Sequence, residues 1–168
     1  MSVSDSGTSR LGGMNAFQKG GVEILTVDDP KRYCFSNVFD VTNQSSPYDR
    51  VAVAVNQEYV LEAVRLQGVS PWFVCPEHDE TILVMDGEVR VDLVDTLNIA
   101  THGEGAHLIE GEPAGRRMGS VLASRGNLVL LPQGKPYRFT AAKPSAGLIQ
   151  TVKGPLTIER WESIAQLA

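Results

Sequence analysis

The sequence predicts an all-β chain, a small barrel finished by a short C-terminal helix. Two stretches carry that prediction, PWFVCPEHDETILVMDGEVRVDL at 71–93 and GNLVLLPQGKPYRFTA at 126–141. In the first, Glu80 opens an apolar run that Asp86-Gly87 closes, and Val89, Val91 and Leu93 then alternate with Arg90 and Asp92. An Asp-Gly pair between two strand-like runs signals a hairpin, because both turn residues tolerate positive φ. In the second, Leu128 and Leu130 alternate with Val129 and Leu131, a Pro-x-Gly turn follows, and Tyr137 and Phe139 resume the alternation. Two hairpin blocks joined by a variable insert make the frame of a barrel.

The remaining elements follow in chain order. Residues 1–21 are rich in Ser and Gly and cannot bury enough apolar surface to order alone, so a flexible N-terminal arm is expected there. Residues 22–168 are expected to form a single domain, long enough for a full core. Between 22 and 41, Ile24, Leu25, Tyr33, Phe35, Val38 and Phe39 sit among turn signals and read as strands preceding the barrel, or as an arm across a neighbour. Residues 43–49 are a polar loop with a Ser-Ser-Pro turn. Val51, Val53 and Val55 alternate with Ala52 and Ala54, as suits a strand covered on both faces. Residues 59–67 read as a longer strand, although periodicity alone also allows a helix. The insert at 96–124 is dominated by glycine and charge and reads as a long loop, with room for one hairpin. Residues 146–152 give one more strand. From 155 to 168, Ile158, Trp161, Ile164 and Ala165 fall on one side of a terminal helix.

Composition excludes several classes. The net charge is −5 with acids and bases interspersed, so no basic stripe offers itself to nucleic acid. No apolar run is long enough to span a bilayer, and 1–10 lacks the apolar stretch of a signal peptide. Cys34 and Cys75 stand alone without metal or redox spacing, which suits reduced thiols in a cytoplasmic protein.

With these residues in place the chain resembles the cupins, whose barrel carries G-x5-H-x-H-x3,4-E-x6-G and, after an insert, G-x5-P-x-G-x2-H-x3-N. Gly126, Pro132 and Gly134 match the second motif, which puts Tyr137 where the metal-binding His stands and Ala141 at the final Asn. Glu80 and Gly87 have the separation of the first. The paired His positions fall on Val74 and Pro76, or on Phe73 and Cys75 under the longer spacing. The resemblance therefore implies a jelly-roll cupin barrel that has lost its metal ligands, with only Glu80 left at a ligand position. A buried Tyr137 would fill the space of the ion and bond to Glu80. A metal site on this chain would need an unusual set, drawn from Glu80, Cys75 and the Tyr137 phenolate.

The two blocks, the small size and the missing ligands are similar to the small subunit of the two-component hydroquinone 1,2-dioxygenases. That resemblance implies a structural cupin subunit beside a larger cupin subunit that holds Fe(II). The enzyme cleaves hydroquinone with O2 to 4-hydroxymuconic semialdehyde, in 4-nitrophenol breakdown, and an α2β2 assembly is expected. No catalytic residue and no cofactor is expected on this chain. Candidates for the substrate pocket or the interface are Trp72, Phe73, Tyr137, Glu80, His78, Arg116 and Arg117. Trp72 stands next to the vacated positions at the expected barrel mouth, where a Trp serves as core or as interface anchor. His78 shares a strand face with Glu80 and reads as its partner or as a solvated loop residue. The Arg116-Arg117 pair reads as solvated or as a clamp for a partner's carboxylate. Two other readings stay open: a self-sufficient metallocupin with unusual ligands, and a non-catalytic cupin holding a small ligand.

Overall fold

The computed structural model describes residues 13–16, 24–27, 31–34, 37–56, 58–96 and 102–164. Strands β1 (Ile24–Val27) and β2 (Lys31–Cys34) form a separate antiparallel ribbon. Helix α1 (Val38–Asn43) precedes β3 (Arg50–Val55), β4 (Val60–Val69) and β5 (Trp72–Val74). Then come β6 (Glu80–Asp86), β7 (Glu88–Asp95), β8 (His107–Ile109), β9 (Arg116–Ser124) and β10 (Leu128–Leu131). The chain continues through β11 (Tyr137–Thr151) and β12 (Thr157–Ile158) to α2 (Trp161–Ile164). No helix among the described residues is long and apolar enough to cross a membrane.

Strand β11 holds the barrel together. Its second half, 145–151, lies between β4 and β6, while its first half, 137–141, lies between β7 and the β4–β5 edge. The change of partners occurs at a register shift between Ala141 and Ser145, where the chain is exposed. One sheet therefore runs β10-β6-β11-β4-β3-β12, and β11 also carries β7 with β9 and β5 with β8. Ile82, Val84, Val89, Val91, Leu131 and Phe139 meet between the two layers, all at most 1% exposed. Each such side chain contributes about 1.5–3 kcal/mol when removed from water. A second cluster lies outside β3 and β4, where Val51, Val53 and Ala63 are covered by Val41 of α1 and Ile164 of α2. Arg50 and Ala52, in the other phase of β3, face the interior and are buried too, which fulfils the expectation of a strand covered on both faces.

Several expectations change. Strands β6 and β7 do not pair: β6 registers with β10 and β11, and β7 with β9 and β11. Gly87 does take φ +77°, but it turns the chain from one layer to the other. Asp-Gly sets the local backbone and leaves the choice of strand partners to the packing. The insert contains β8 and the nine-residue β9, and the latter pairs with β7 along its length, so 96–124 is not one long loop. Its alternation is masked because eight of its nine residues stay at least partly exposed. The separate strand expected at 146–152 is the second half of β11.

Val38, Phe39 and Val41 lie in a helix and not in strands, because the Asn37 side chain caps it by accepting from the Phe39 and Asp40 amides. Ile158 belongs to β12, parallel to β3, so the described terminal helix is only Trp161–Ile164. Ala165 lies outside the described residues. Within the span read as an arm, Met14 is buried, and its amide donates to Asp86 at 2.6 Å while its carbonyl accepts from Asn43 at 3.1 Å.

Candidate functional site: a buried guanidinium in the barrel

Three strands and β11 aim polar groups into the apolar interior at one place. Arg50 comes from β3, Glu62 from β4, Glu80 from β6 and Tyr137 from β11, and none is more than 3% exposed. Arg50 Nε donates to Glu62 Oε2 at 2.5 Å, Nη2 to Glu80 Oε1 at 2.5 Å, and Nη1 to the Tyr137 hydroxyl at 3.0 Å. The Tyr137 hydroxyl in turn donates to Glu80 Oε2. Thr157, on β12, donates to Glu62 Oε1 at 2.6 Å. Each carboxylate oxygen is thus engaged, as burial demands. Phe73 packs beside the Tyr137 ring at 5.7 Å between centroids.

The charges set one another. Burial pushes the Glu80 carboxyl up, but the Arg50 charge and hydrogen bonds from Tyr137, Arg50 and Thr151 outweigh it and hold Glu80 below the usual value. Burial pushes the Tyr137 phenol well above its usual value, and the neighbouring Glu80 adds to this while Arg50 opposes it. Tyr137 therefore stays a neutral donor. Burial also works against the Arg50 charge, and Tyr137, Glu80 and Glu62 more than compensate.

Next to this cluster, Cys75 Sγ lies 3.2 Å from His78 Nε2, which is 3.0 Å from the Thr151 hydroxyl. The Val152 amide donates to the same Nε2 at 3.2 Å, so that nitrogen serves as an acceptor there. His78 is therefore half-buried and anchored by Cys75, Thr151 and Val152, and no hydrogen bond joins it to Glu80. It lines a surface recess together with Tyr59, Asp79, Thr81, Gln150 and Thr151. Burial, with the Glu80 charge, raises the Cys75 thiol to about 11, which leaves it protonated at neutral pH.

Cys75, His78 and Glu80 bring one donor atom each within 4.8 Å of one another. Each of those donors is engaged within the chain. Glu80 is already neutralised by Arg50, the His78 lone pair is taken by the Val152 amide, and the thiol keeps its proton. The vacated positions Val74 and Pro76 offer no ligand, and Val74 is a fully buried aliphatic residue.

Other sequence candidates lie elsewhere. Trp72 and Phe73 are both buried, but successive strand residues face opposite ways, and it is Phe73 that joins the interior with Tyr137. The Trp72 indole donates to Glu112 at 2.9 Å, and the Arg138 guanidinium lies 4.4 Å from its ring centroid. Arg116 and Arg117 start β9 and are 86% and 64% exposed, with Arg117 bonded to Ser120 at 2.5 Å and Arg116 at 4.0 Å from Asp95. Sequence reading missed Arg50, Glu62 and Thr157. The signal available was phase: Arg50 shares its strand face with Ala52, and a small neighbour leaves room inside a barrel for a long side chain.

The chain is similar to two solved enzymes over nearly its whole length. One is the hydroquinone 1,2-dioxygenase PnpCD in complex with Cd2+ and 4-hydroxybenzonitrile, at 40% identity and TM-score 0.82, covering 98% of this chain and 100% of that one. The other is the hydroquinone 1,2-dioxygenase from Sphingomonas sp. TTNP3 with 4-hydroxybenzoate bound, at 43% identity and TM-score 0.82, covering 95% and 97%. A longer chain of PnpCD, in complex with Fe3+, shares the fold alone, at 12% identity and TM-score 0.60, covering 90% of this chain and 42% of that one. A cupin-2 domain protein from Shewanella frigidimarina shares it too, at 14% identity and TM-score 0.50, covering 68% and 89%. No protein-family profile and no curated protein matches the chain.

Proposed function

Since this chain belongs to the hydroquinone 1,2-dioxygenase family and folds as a cupin, we propose that it is the small, non-metal-binding subunit of such an enzyme. A larger cupin subunit then holds the Fe(II) and performs ring cleavage of hydroquinone with O2. The observation that carries this reading is Arg50, a buried cation already satisfying the carboxylate that would otherwise serve as a ligand. Support for a larger partner comes from PnpCD, which contains one chain spanned whole by this one and another of which it spans 42%. The reading includes an α2β2 assembly in the cytoplasm, to which a buried, unpaired Cys75 is suited. This chain's part is to cover the catalytic barrel, exclude water and position side chains at the shared pocket. A small-ligand-binding cupin is disfavoured, because Tyr137, Phe73 and Phe139 fill the interior. A self-sufficient metallocupin draws only on the Cys75, His78 and Glu80 cluster.

The test is co-expression with the larger chain, followed by capture on a tag placed on this one. Co-elution with hydroquinone-cleaving activity absent from either chain alone is the expected result; full activity from this chain alone contradicts the proposal. Trp72 offers a finer probe, since its indole holds Arg138 and Glu112 in place. Trp72→Ala is expected to weaken association, or raise the KM for hydroquinone, by roughly tenfold through the Arg138 and Glu112 side chains it holds in place. Titration calorimetry and steady-state kinetics read both, and a folded variant with wild-type values removes Trp72 from the interface.

A further inference from the structure

We infer that this chain meets its larger partner on the outer face of β7, β9 and the first half of β11, and that Arg90 and Arg117 there receive the carboxylate of an acidic side chain of that partner. The inference rests on the subunit reading and adds where, and by what chemistry, the two chains join.

Strand register assembles the face. Asp92 lies between Ser120 and Arg138 in one row, and Arg90 lies between Leu122 and Thr140 in the next, with Thr140 paired in turn to Val69. Paired residues share a face, and the alternate residues Val91 and Phe139 belong to the core, so both rows point outward. Three guanidiniums gather on Asp92. Arg90 Nε donates to its Oδ1 at 2.8 Å, Arg117 Nη2 stands 3.6 Å from the same oxygen, and Arg138 Nη2 stands 3.6 Å from Oδ2. Glu112 accepts from Arg138 at 3.0 Å, and the Trp72 ring supports that guanidinium. Arg90 and Arg117 are left to share one carboxylate, a surplus of cation in a chain whose net charge is −5. Glu88, two residues along the same face, accepts from the Ser124 hydroxyl. Only the Nη2 of Arg117 is engaged among the described residues, so the rest of its donor fork is open, and a carboxylate takes such a fork through both oxygens. The Arg90 row also carries Leu122 and Val69, 65% and 62% exposed, which adds apolar contact to the charge. A second copy of this chain fits poorly, because a two-fold contact would set the arginines against one another.

The test measures association of this chain with the larger one by titration calorimetry, at low and at high salt. Arg117→Glu, which reverses an exposed charge, should weaken association roughly tenfold or more at low salt and reduce its salt dependence. Leu122→Asp places a carboxylate beside Arg90 within the chain itself and should weaken it likewise. Lys143→Glu, an equal change of charge in the exposed crossover of β11, should bind as wild type does. Melting temperatures show that each variant is folded. A reading free of substitution comes from phenylglyoxal, which should modify Arg117 in the free chain and spare it in the complex. Wild-type association by folded Arg117→Glu and Leu122→Asp, with Arg117 still modified in the complex, overturns the inference and leaves the subunit reading standing. Sedimentation that shows the chain dimerising alone, and Arg117→Glu abolishing the dimer, overturns it in favour of a second copy. A wild-type chain that does not associate with the larger one overturns the subunit reading, and the inference with it.

Discussion

Arg50→Ala is expected to lower the folding stability of this chain by roughly 3–5 kcal/mol, because breaking a buried ion pair leaves its partners charged and unpaired. Here the loss strands two carboxylates, Glu62 and Glu80, both at most 1% exposed. For a domain of this size the melting temperature should fall by about 10 °C or more. Arg50→Lys should recover only part of this, since an ammonium cannot reach Glu62, Glu80 and Tyr137 at once with a fork of donors.

The cluster also fixes the sign of the pH response. Glu80 has a folded value below its usual 4.5, so its contribution is present above that value and is lost as pH falls through the folded one. Tyr137 is raised above 10.0, so its contribution is present below that pH and declines as pH rises beyond it. Arg50→Ala should flatten the acid limb of a stability–pH curve measured by urea unfolding. A variant that melts like wild type would mean the guanidinium is not where Glu80 needs it.

Gly87→Val is expected to cost roughly 3–4 kcal/mol, among the larger effects of single substitutions. Two causes add. At φ +77° a side chain is strained, most of all a β-branched one, and a Cβ there would stand 2.1 Å from Ser145 Oγ and 2.7 Å from Ser145 Cβ. Ser145 cannot simply retreat, because its hydroxyl accepts from the Glu88 amide where the chain crosses between layers. Combining Gly87→Ala with Ser145→Gly removes the contacts with the Ser145 side chain, keeps the backbone strain and takes the acceptor from the Glu88 amide, so it should cost about 2 kcal/mol, less than Gly87→Val. Thermal melts of the two variants separate the causes. A change below about half a kcal/mol in Gly87→Val would show that the corner tolerates a side chain.

How far the sequence could be read depended on the range of the physics involved. Strands β3, β7 and β10 announce themselves by alternation and β6 by an apolar run, both local properties, and Gly87 announces its positive φ through the Asp-Gly pair, whereas periodicity alone also allowed a helix at β4. Which strands pair is decided by packing at long sequence separation, so the passage of β7 to a different layer from β6 was not legible. Strand β9 was hidden because edge strands do not need an apolar face, and Met118, Val121 and Leu122 are exposed along with its arginines. The site divides in the same way. Glu80 and Tyr137 could be placed together through the resemblance to the two cupin motifs, and the structure joins them by a hydrogen bond. Arg50 and Glu62 lie outside both blocks and read as ordinary charges in apolar strands. Only the barrel shows that they meet inside it.

Under the proposed function this chain carries no iron and its larger partner holds it. The direct measurement is elemental analysis of the co-purified complex, and of each chain after separation under conditions that retain bound iron. The expected result is about one iron for each pair of chains, all of it with the larger chain, and only trace metal on this one. Stoichiometric iron on this chain, lost on changing Cys75 or His78 to alanine, would contradict it.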